Sequence, residues 1–141
     1  MGREIPEKPA YGDEGSIIIA VATDAPLLPH QLKRLARRAT MGLARTGRTS
    51  GNGSGDIFIA FSTANPGASK ASGLAELRMV ANDQMNPLFE ATVQATEEAI
   101  VNAMVAAETM TGANNHAVIA LPHDRLKEVL KKYNRLAEGS R

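Results

Sequence analysis

Two short stretches of the sequence carry residue types whose spacing suits nucleophilic catalysis. The first is Gly15–Ser16, where a polar segment that contains prolines meets an apolar run continuing Ile-Ile-Ile. Gly15 has no Cβ to shield its carbonyl carbon, so the Ser16 hydroxyl could attack that carbon in an N-to-O acyl shift. Hydrolysis of the ester would leave Ser16 at a new N-terminus, with an α-amine of reference pKa about 7.7–8.0 as a candidate general base. The alternative is that Gly-Ser simply ends a linker.

The second stretch is Gly51-Asn-Gly-Ser-Gly-Asp56, in which glycines alternate with polar residues. Residues two apart in an extended segment point the same way, so Ser54 and Asp56 could converge on one site. Ser54 could hydrogen-bond the nucleophile, while Asp56 could orient it or take its proton. A β-turn with a side-chain cap is the structural alternative. A phosphate-binding loop is disfavoured, because such loops follow a strand and open a helix, whereas this loop precedes a predicted strand.

Apolar runs predict the strands that must position these residues. Residues 16–23 and 56–62 contain short stretches of β-branched and aromatic residues, which is typical of strands buried on both faces. A third apolar run, Ala117–Leu121, is predicted to join them in one sheet. Residues 63–86 are loop-like, since Asn65-Pro-Gly67 is a strong turn signal.

Helical periodicity predicts three helices. The first starts at Pro29, which suits a first helical turn, and the last lies near His123–Leu136. Between them a long helix is predicted from about Pro87 to Thr111, with Asn86 as N-cap and Gly112 as stop. Two or three helices are too few to cover both faces of such a sheet. We therefore expect another polypeptide or segment to supply part of the covering layer.

Bulk composition narrows the classes of function. Sixteen Lys and Arg against fifteen Asp and Glu leave a formal net charge of +1, which gives no indication of a nucleic-acid or anionic-membrane partner. The chain has no Cys, which excludes disulfides and a cysteine nucleophile, and its three His show no metal-ligand spacing. No apolar run approaches the ~20 residues of a membrane helix, and no signal-peptide pattern opens the chain. We expect a cytoplasmic protein without metal or cofactor.

Four stretches together resemble one known family: GSIIIAVATDAPLLPHQLKRLARRATMGLARTG, SGNGSGDIFIAFSTAN, NPLFEATVQATEEAIVNAMVAAETMTG and LPHDRLKEVLKKYNRL. Over about residues 12 to 137 the chain resembles the self-processing L-aminopeptidase/D-amidase-esterase family, which includes the β-aminopeptidases. The resemblance implies an α/β (α+β) fold, part of a four-layer αββα sandwich. That sandwich resembles N-terminal-nucleophile hydrolases but has a different connectivity. Members of the family cut themselves once, at a Gly–Ser bond, into an α and a β polypeptide.

By this resemblance the cut falls at Gly15–Ser16, so residues 1–15 form a linker before the cleavage site and residues 16–141 the catalytic β segment. Ser16 is implied to be the nucleophile for both self-cleavage and hydrolysis of N-terminal amide or peptide bonds through an acyl-enzyme. Ser54 matches the second active-site serine, and Asp56 matches an acidic residue for which Glu is expected in some members. The implied substrate is a peptide or an amino-acid amide.

The resemblance also implies partners and leaves alternatives. In the family the α polypeptide supplies much of the substrate pocket and an oxyanion-stabilising asparagine, and the complete enzyme is expected to be a homo-oligomer. We therefore expect this chain alone to be catalytically weak or inactive. One alternative is a truncated, inactive fragment that folds only with a partner. Another is an acyltransferase of the same superfamily, although there the nucleophile is usually Thr rather than Ser.

Overall fold

The computed structural model describes residues 15–137, so all of the expected N-terminal linker except Gly15 lies outside the described residues. The chain divides after Glu97 into two compact units. The first unit contains strand β1 (Ile18–Thr23), helix α1 (Pro29–Arg45), strand β2 (Ile57–Ser62) and the start of helix α2 (Asn86–Ala106). Short 3₁₀ turns at Pro66–Ser69 and Asn82–Gln84 interrupt the long connection between β2 and α2.

Local chemistry sets the limits of α1. Pro29 is its first residue, as expected from a fixed φ and a missing N–H that suit the first turn. The Gln31 side chain is fully buried; its carbonyl oxygen accepts from the Leu28 N–H and its amide nitrogen donates to the Val80 carbonyl. At the other end Gly47 takes a φ of 95°, the left-handed conformation that glycine supplies after a helix. The helix is therefore anchored at both ends.

β1 and β2 form a parallel pair in which Ile18 lies opposite Ile57 and Thr23 opposite Ser62. α1 connects the two strands and contacts both. The side chains of Val21 and Ala60, on the partly buried side of the pair, pack against a core that includes Leu27, Leu35 and Met85. The core is aliphatic, as the scarcity of aromatic residues in the sequence requires.

The opposite face of this strand pair is apolar and exposed, so the prediction of strands buried on both faces is wrong for the described chain. Ile18 is 73% exposed, and Ile57, Ile59 and Phe61 are 58%, 55% and 48% exposed. Both faces of the two strands carry apolar residues, as the sequence predicts. Burial, however, needs a layer on each side, and the described first unit supplies a layer on one side only.

The second unit contains the end of α2, a hairpin of strands β3 (Met110–Thr111) and β4 (Ala117–Val118), and helix α3 (His123–Lys132). α2 ends at Ala106, short of the predicted end at Thr111, because the chain turns into this antiparallel hairpin. Asn114 and Asn115 make the turn with φ values of 55° and 59°, a conformation that Asn tolerates better than most residues. The Gly112 N–H donates to the His116 carbonyl and closes it.

The hairpin also corrects the predicted sheet. The Ala117–Leu121 run pairs only through Ala117 and Val118, and it pairs with β3 rather than with β1 or β2. The described residues therefore contain two separate two-stranded sheets instead of one three-stranded sheet. α3 begins at His123 as predicted and ends at Lys132, before the predicted end at Leu136. Within residues 15–137 no helix is long and apolar enough to cross a membrane.

Candidate active site

The parallel pairing of β1 and β2 brings the Gly15–Ser16 junction and the Gly51–Asp56 segment to the same end of the strand pair. Because Ile18 pairs with Ile57, the residues that precede each strand continue in the same register and Ser16 lies opposite Gly55. The Ile57 N–H donates to the Ile17 carbonyl at 2.9 Å, so backbone pairing continues beyond the ends of the strands. The Gly15–Ser16 junction and the glycine-rich loop thus form one site.

The Ser16 hydroxyl is held by the backbone of the loop. The Gly55 N–H donates to Ser16 Oγ, with 2.9 Å between the two atoms. A Cβ at Gly55 would lie 3.2 Å from Ser16 Oγ, so a larger residue would press on the hydroxyl and glycine relieves this contact. An N–H donor at this position favours negative charge developing on the oxygen and leaves the hydroxyl proton free to transfer. This arrangement suits a nucleophile.

The Asp56 carboxylate binds the backbone beside the nucleophile. Its Oδ1 accepts from the Ile17 N–H at 3.0 Å, and its Oδ2 accepts from Ser50 Oγ at 2.8 Å. The Ser54 hydroxyl, the Ser50 hydroxyl and the Ile17 N–H, in that order, lower the pKa of Asp56, and the charge of Arg48 acts in the same direction. A carboxylate with a lowered pKa is a poor proton acceptor near neutral pH. Of its two expected roles, the geometry favours orienting the nucleophile over taking its proton.

Ser50 holds an uncommon backbone conformation to reach Asp56. Its φ is 48°, in the left-handed region that residues other than Gly, Asn and Asp seldom adopt. Such conformations cost on the order of 1–3 kcal/mol and persist where surrounding contacts enforce them. Here the Ser50 hydroxyl supplies one of the two hydrogen bonds that fix the carboxylate. The glycine-rich loop is therefore anchored to β2 through this side-chain pair.

Ser54 does not make the hydrogen bond to the nucleophile that the sequence led us to expect; the N–H of the next residue, Gly55, makes it. The Ser54 hydroxyl lies near Asp56 closely enough to lower the pKa of its carboxyl. Its oxygen is nonetheless buried without a hydrogen-bond partner in the described part of the chain. A buried hydroxyl with free hydrogen-bonding capacity is a group that a substrate or the nucleophile can use.

Three contributors to the site were not among the expected residues. The Gly55 N–H binds Ser16, Ser50 binds Asp56, and the Arg48 guanidinium donates to the carbonyl oxygen of Gly15. All three lie in the Thr46–Gly55 loop, whose glycine-rich composition marked it as a close-approach segment. Composition alone does not indicate which members of a flexible loop face the junction. Among the described residues no group of three or more His, Asp or Glu is placed to hold a metal ion.

The lowered pKa of Asp56 predicts a component of stability that depends on pH. A carboxyl with a folded-state pKa below its ordinary value of about 3.9 stabilises the fold above that pH and loses the effect as pH falls through the folded pKa. We expect the unfolding free energy of wild type to exceed that of Asp56→Asn at neutral pH. The difference should shrink as pH falls below about 4.

Denaturant unfolding at a series of pH values measures this difference. Asp24→Asn is the matched control, because Asp24 is an exposed carboxylate just after β1. Its difference from wild type should not follow the same course. A constant difference between wild type and Asp56→Asn down to strongly acidic pH would contradict the role assigned to the Asp56 hydrogen bonds.

The chain is similar to known proteins over most of its length. Residues 1–118 match Peptidase family S58. The chain is 55% identical over 129 residues to the beta-peptidyl aminopeptidase BapA of Sphingosinicella microcystinivorans, covering 91% of this chain and 32% of that protein. Its fold is similar to the solved L-aminopeptidase D-Ala-esterase/amidase of Ochrobactrum anthropi, with a TM-score of 0.78 and 51% identity over 86% of this chain and 35% of that one.

A β-aminopeptidase from a Burkholderia species is similar as well, with a TM-score of 0.73 and 46% identity over 83% of this chain and 35% of that one. The Ochrobactrum structure is described as a variant of the N-terminal-nucleophile hydrolase fold, which confirms the α/β fold class expected from the sequence. The chain spans about a third of the length of these relatives. The family match nevertheless covers most of the chain, including the Gly15–Ser16 junction and the Gly51–Asp56 segment. This chain belongs to Peptidase family S58.

Proposed function

We propose that this chain is the nucleophile-bearing C-terminal segment of a self-processing serine aminopeptidase. In this proposal the protein cuts itself between Gly15 and Ser16, so that residues 1–15 precede the cut and residues 16–141 form the β segment. The observation that carries the proposal is the Ser16 hydroxyl, exposed directly after Gly15 and held at 2.9 Å by the Gly55 N–H.

The proposed reaction uses Ser16 twice. In the precursor its Oγ attacks the Gly15 carbonyl, and hydrolysis of the ester frees the Ser16 α-amine. In the mature enzyme Oγ attacks the first amide bond of a substrate and forms an acyl-enzyme, which water then hydrolyses. The freed amine has a reference pKa of about 7.7–8.0 and is the candidate general base, since the lowered pKa of Asp56 makes its carboxylate unsuitable.

Asp56 and Ser54 take supporting roles in this proposal. Asp56 fixes the Ile17 N–H, which is in the residue next to the nucleophile, and so limits where Ser16 Oγ can point. Ser54 offers its unpartnered buried hydroxyl to the nucleophile or to the substrate once the site is complete. These groups need neither a metal ion nor an organic cofactor. Water as the acyl acceptor makes the enzyme a hydrolase, and Ser16 in place of Thr argues against the acyltransferase alternative.

The proposed substrates are peptides or amino-acid amides with a free N-terminus. The support is the nature of the relatives, which are a beta-peptidyl aminopeptidase and an L-aminopeptidase D-Ala-esterase/amidase. An enzyme that acts on a free N-terminus needs a pocket for the substrate's ammonium group. The proposal assigns much of that pocket, together with an oxyanion-stabilising asparagine, to an α polypeptide. It also includes the homo-oligomer implied by the family resemblance.

The exposed apolar face of β1 and β2 supports a covering partner of this kind. Ile18, Ile57, Ile59 and Phe61 form one surface on which at least 48% of each residue is exposed. Burying such surface stabilises an assembly by about 25 cal/mol for each Å² removed from water. An apolar strand face that lies beside the nucleophile is a suitable contact for the segment that completes the substrate pocket.

Hydrolysis of amino-acid p-nitroanilides tests the proposal. We expect the chain of residues 1–141 alone to be slower than the same chain joined to the α polypeptide by about 10²–10³, the usual effect of losing an oxyanion donor. The joined protein with Ser54→Ala provides an internal comparison, because it retains the partner and lacks one hydroxyl of the site. Equal rates for the isolated and the joined chain would refute the need for a partner.

A further inference from the structure

Arg48 makes a contact that the reaction as described above does not use. Its guanidinium Nη2 donates a hydrogen bond to the carbonyl oxygen of Gly15, from a loop position 33 residues away in sequence. That oxygen is part of the peptide group whose C–N bond the proposed self-cleavage breaks. The Gly55 N–H, on the same loop, holds the attacking oxygen of Ser16. One loop therefore contacts both reacting groups of the Gly15–Ser16 junction.

We propose that Arg48 is a catalytic residue of self-cleavage, where its guanidinium stabilises the negative charge that develops on the Gly15 carbonyl oxygen. The inference rests on the proposed cut at Gly15–Ser16 and adds a group that acts on the carbonyl side of the bond. Arg suits this task because its guanidinium stays charged at all relevant pH values and directs several N–H donors in a plane. A charged donor strengthens as the oxygen becomes anionic, so the stabilisation is greater in the transition state than in the ground state.

The step balances without another reactant until water enters. Ser16 Oγ forms a bond to the Gly15 carbonyl carbon, and the carbonyl π electrons move to the oxygen that Arg48 contacts. When the carbonyl re-forms, the bond from carbon to the Ser16 nitrogen breaks, and that nitrogen leaves as an amine with the proton lost by Oγ. One water molecule then cleaves the ester, which gives a Gly15 carboxylate, returns one proton to Ser16 Oγ and passes the other to the freed amine.

The surroundings of Arg48 fit an electrophilic role. Arg48 Nη2 lies 4.0 Å from where a Cβ on Gly15 would be, and it donates to the carbonyl oxygen of the same residue. The Asp56 carboxylate accepts hydrogen bonds from the Ile17 N–H and the Ser50 hydroxyl. Its pKa is lowered first by its hydrogen bonds and only last by the charge of Arg48. Arg48 therefore contacts the carbonyl of the junction, while its charge has only a minor effect on the Asp56 carboxyl.

The experiment measures the rate of self-cleavage in the proposed precursor, which contains both the α polypeptide and this chain. A pulse of cell-free translation followed by a chase gives the half-life of the uncut chain on a denaturing gel, and intact mass locates the cut. We expect Arg48→Met to slow cleavage by about tenfold to a hundredfold, less than a buried oxyanion donor because the contact is exposed to solvent. Arg48→Lys, which keeps a charged donor, should recover part of the rate.

Arg45→Met is the matched control, because Arg45 is a neighbouring arginine whose ion pair with Glu97 at 3.1 Å is exposed. It should cleave at the wild-type rate. Thermal unfolding of each uncut variant, made in a Ser16→Ala background, reports any loss of folding separately. A half-life for Arg48→Met within about twofold of wild type overturns the proposal. So does a loss of rate that Arg48→Lys and Arg45→Met share equally.

The cleavage rates distinguish failure of the role of Arg48 from failure of the proposed function. If wild type is not cut at Gly15–Ser16, or if Ser16→Ala is cut as fast as wild type, the proposed function itself fails. If wild type is cut, Ser16→Ala is not, and Arg48→Met matches wild type, only the role of Arg48 is lost. A slowed Arg48→Met with an unfolding temperature equal to that of wild type supports the assignment.

Discussion

Replacing Ser16 by Ala is expected to stop both cleavage at the Gly15–Ser16 bond and hydrolysis of amide substrates. In the proposed mechanism both reactions use the same oxygen, so one substitution should remove two activities. Loss of a serine nucleophile in a hydrolase lowers kcat by on the order of 10⁴–10⁶. Pulse-chase analysis of the uncut chain and p-nitroanilide hydrolysis by the complete enzyme measure the two effects. Ser69→Ala, an exposed serine in the 3₁₀ turn after β2, is the control and should retain both activities.

The Ser16→Ala protein should nevertheless fold. Ser16 is exposed, and in the described chain its hydroxyl accepts a hydrogen bond only from the Gly55 N–H, which water can replace. Surface substitutions of this kind change stability by about 0.5 kcal/mol or less. A protein that loses both activities while keeping its unfolding midpoint supports a chemical role for the hydroxyl. Retention of either activity at the parental rate would exclude Ser16 as the shared nucleophile.

Replacing Gly42 by Ala is expected to lower the free energy of unfolding more than any other substitution proposed for this chain. Gly42 is buried in α1, where that helix meets α2 within the first unit. A Cβ at this position would lie 2.6 Å from Thr96 Cβ and 2.6 Å from the Val93 carbonyl oxygen. These atoms belong to backbone and to a branched side chain in a helix, so they cannot move aside cheaply. Overpacking of this kind costs roughly 1–3 kcal/mol.

Denaturant unfolding of Gly42→Ala against wild type measures this cost. Gly67→Ala is the matched control, because a Cβ there meets no atom within 4 Å and Gly67 is not among the glycines with positive φ. The same change should leave stability within about 0.5 kcal/mol at position 67. An unfolding free energy for Gly42→Ala equal to that of wild type would show that α1 and α2 are not packed as closely as described.

The parts of the fold that the sequence predicts are those with strong local causes. The apolar runs of β1 and β2 and the proline that starts α1 each specify their element without help from the rest of the chain. The end of α2 and the pairing of Ala117–Val118 were predicted wrongly, because both depend on a hairpin between segments of low periodicity. Two asparagines at positive φ mark that hairpin, and they are a weaker signal than glycine.

In the site, too, contacts set by strand pairing can be predicted from the sequence, whereas contacts set by the path of the loop cannot. Ser16 and Asp56 lie together because they are one or two residues before the starts of two parallel strands. This is a consequence of strand register and could be anticipated once both strands were recognised. The hydrogen bond from Gly55 rather than from Ser54 could not be anticipated, since it depends on the backbone path of the loop. The contacts of Ser50 and Arg48 likewise depend on how the Thr46–Gly55 segment folds back over the junction.

The N-terminus of the active protein shows whether cleavage at Gly15–Ser16 makes Ser16 a free N-terminal residue. N-terminal sequencing of purified, active enzyme should give Ser-Ile-Ile-Ile-Ala for the segment that carries this sequence, beginning at Ser16. Intact mass of the same sample should show the β segment of residues 16–141 as a separate polypeptide. An active preparation in which the Gly15–Ser16 bond is intact in every molecule would contradict the account.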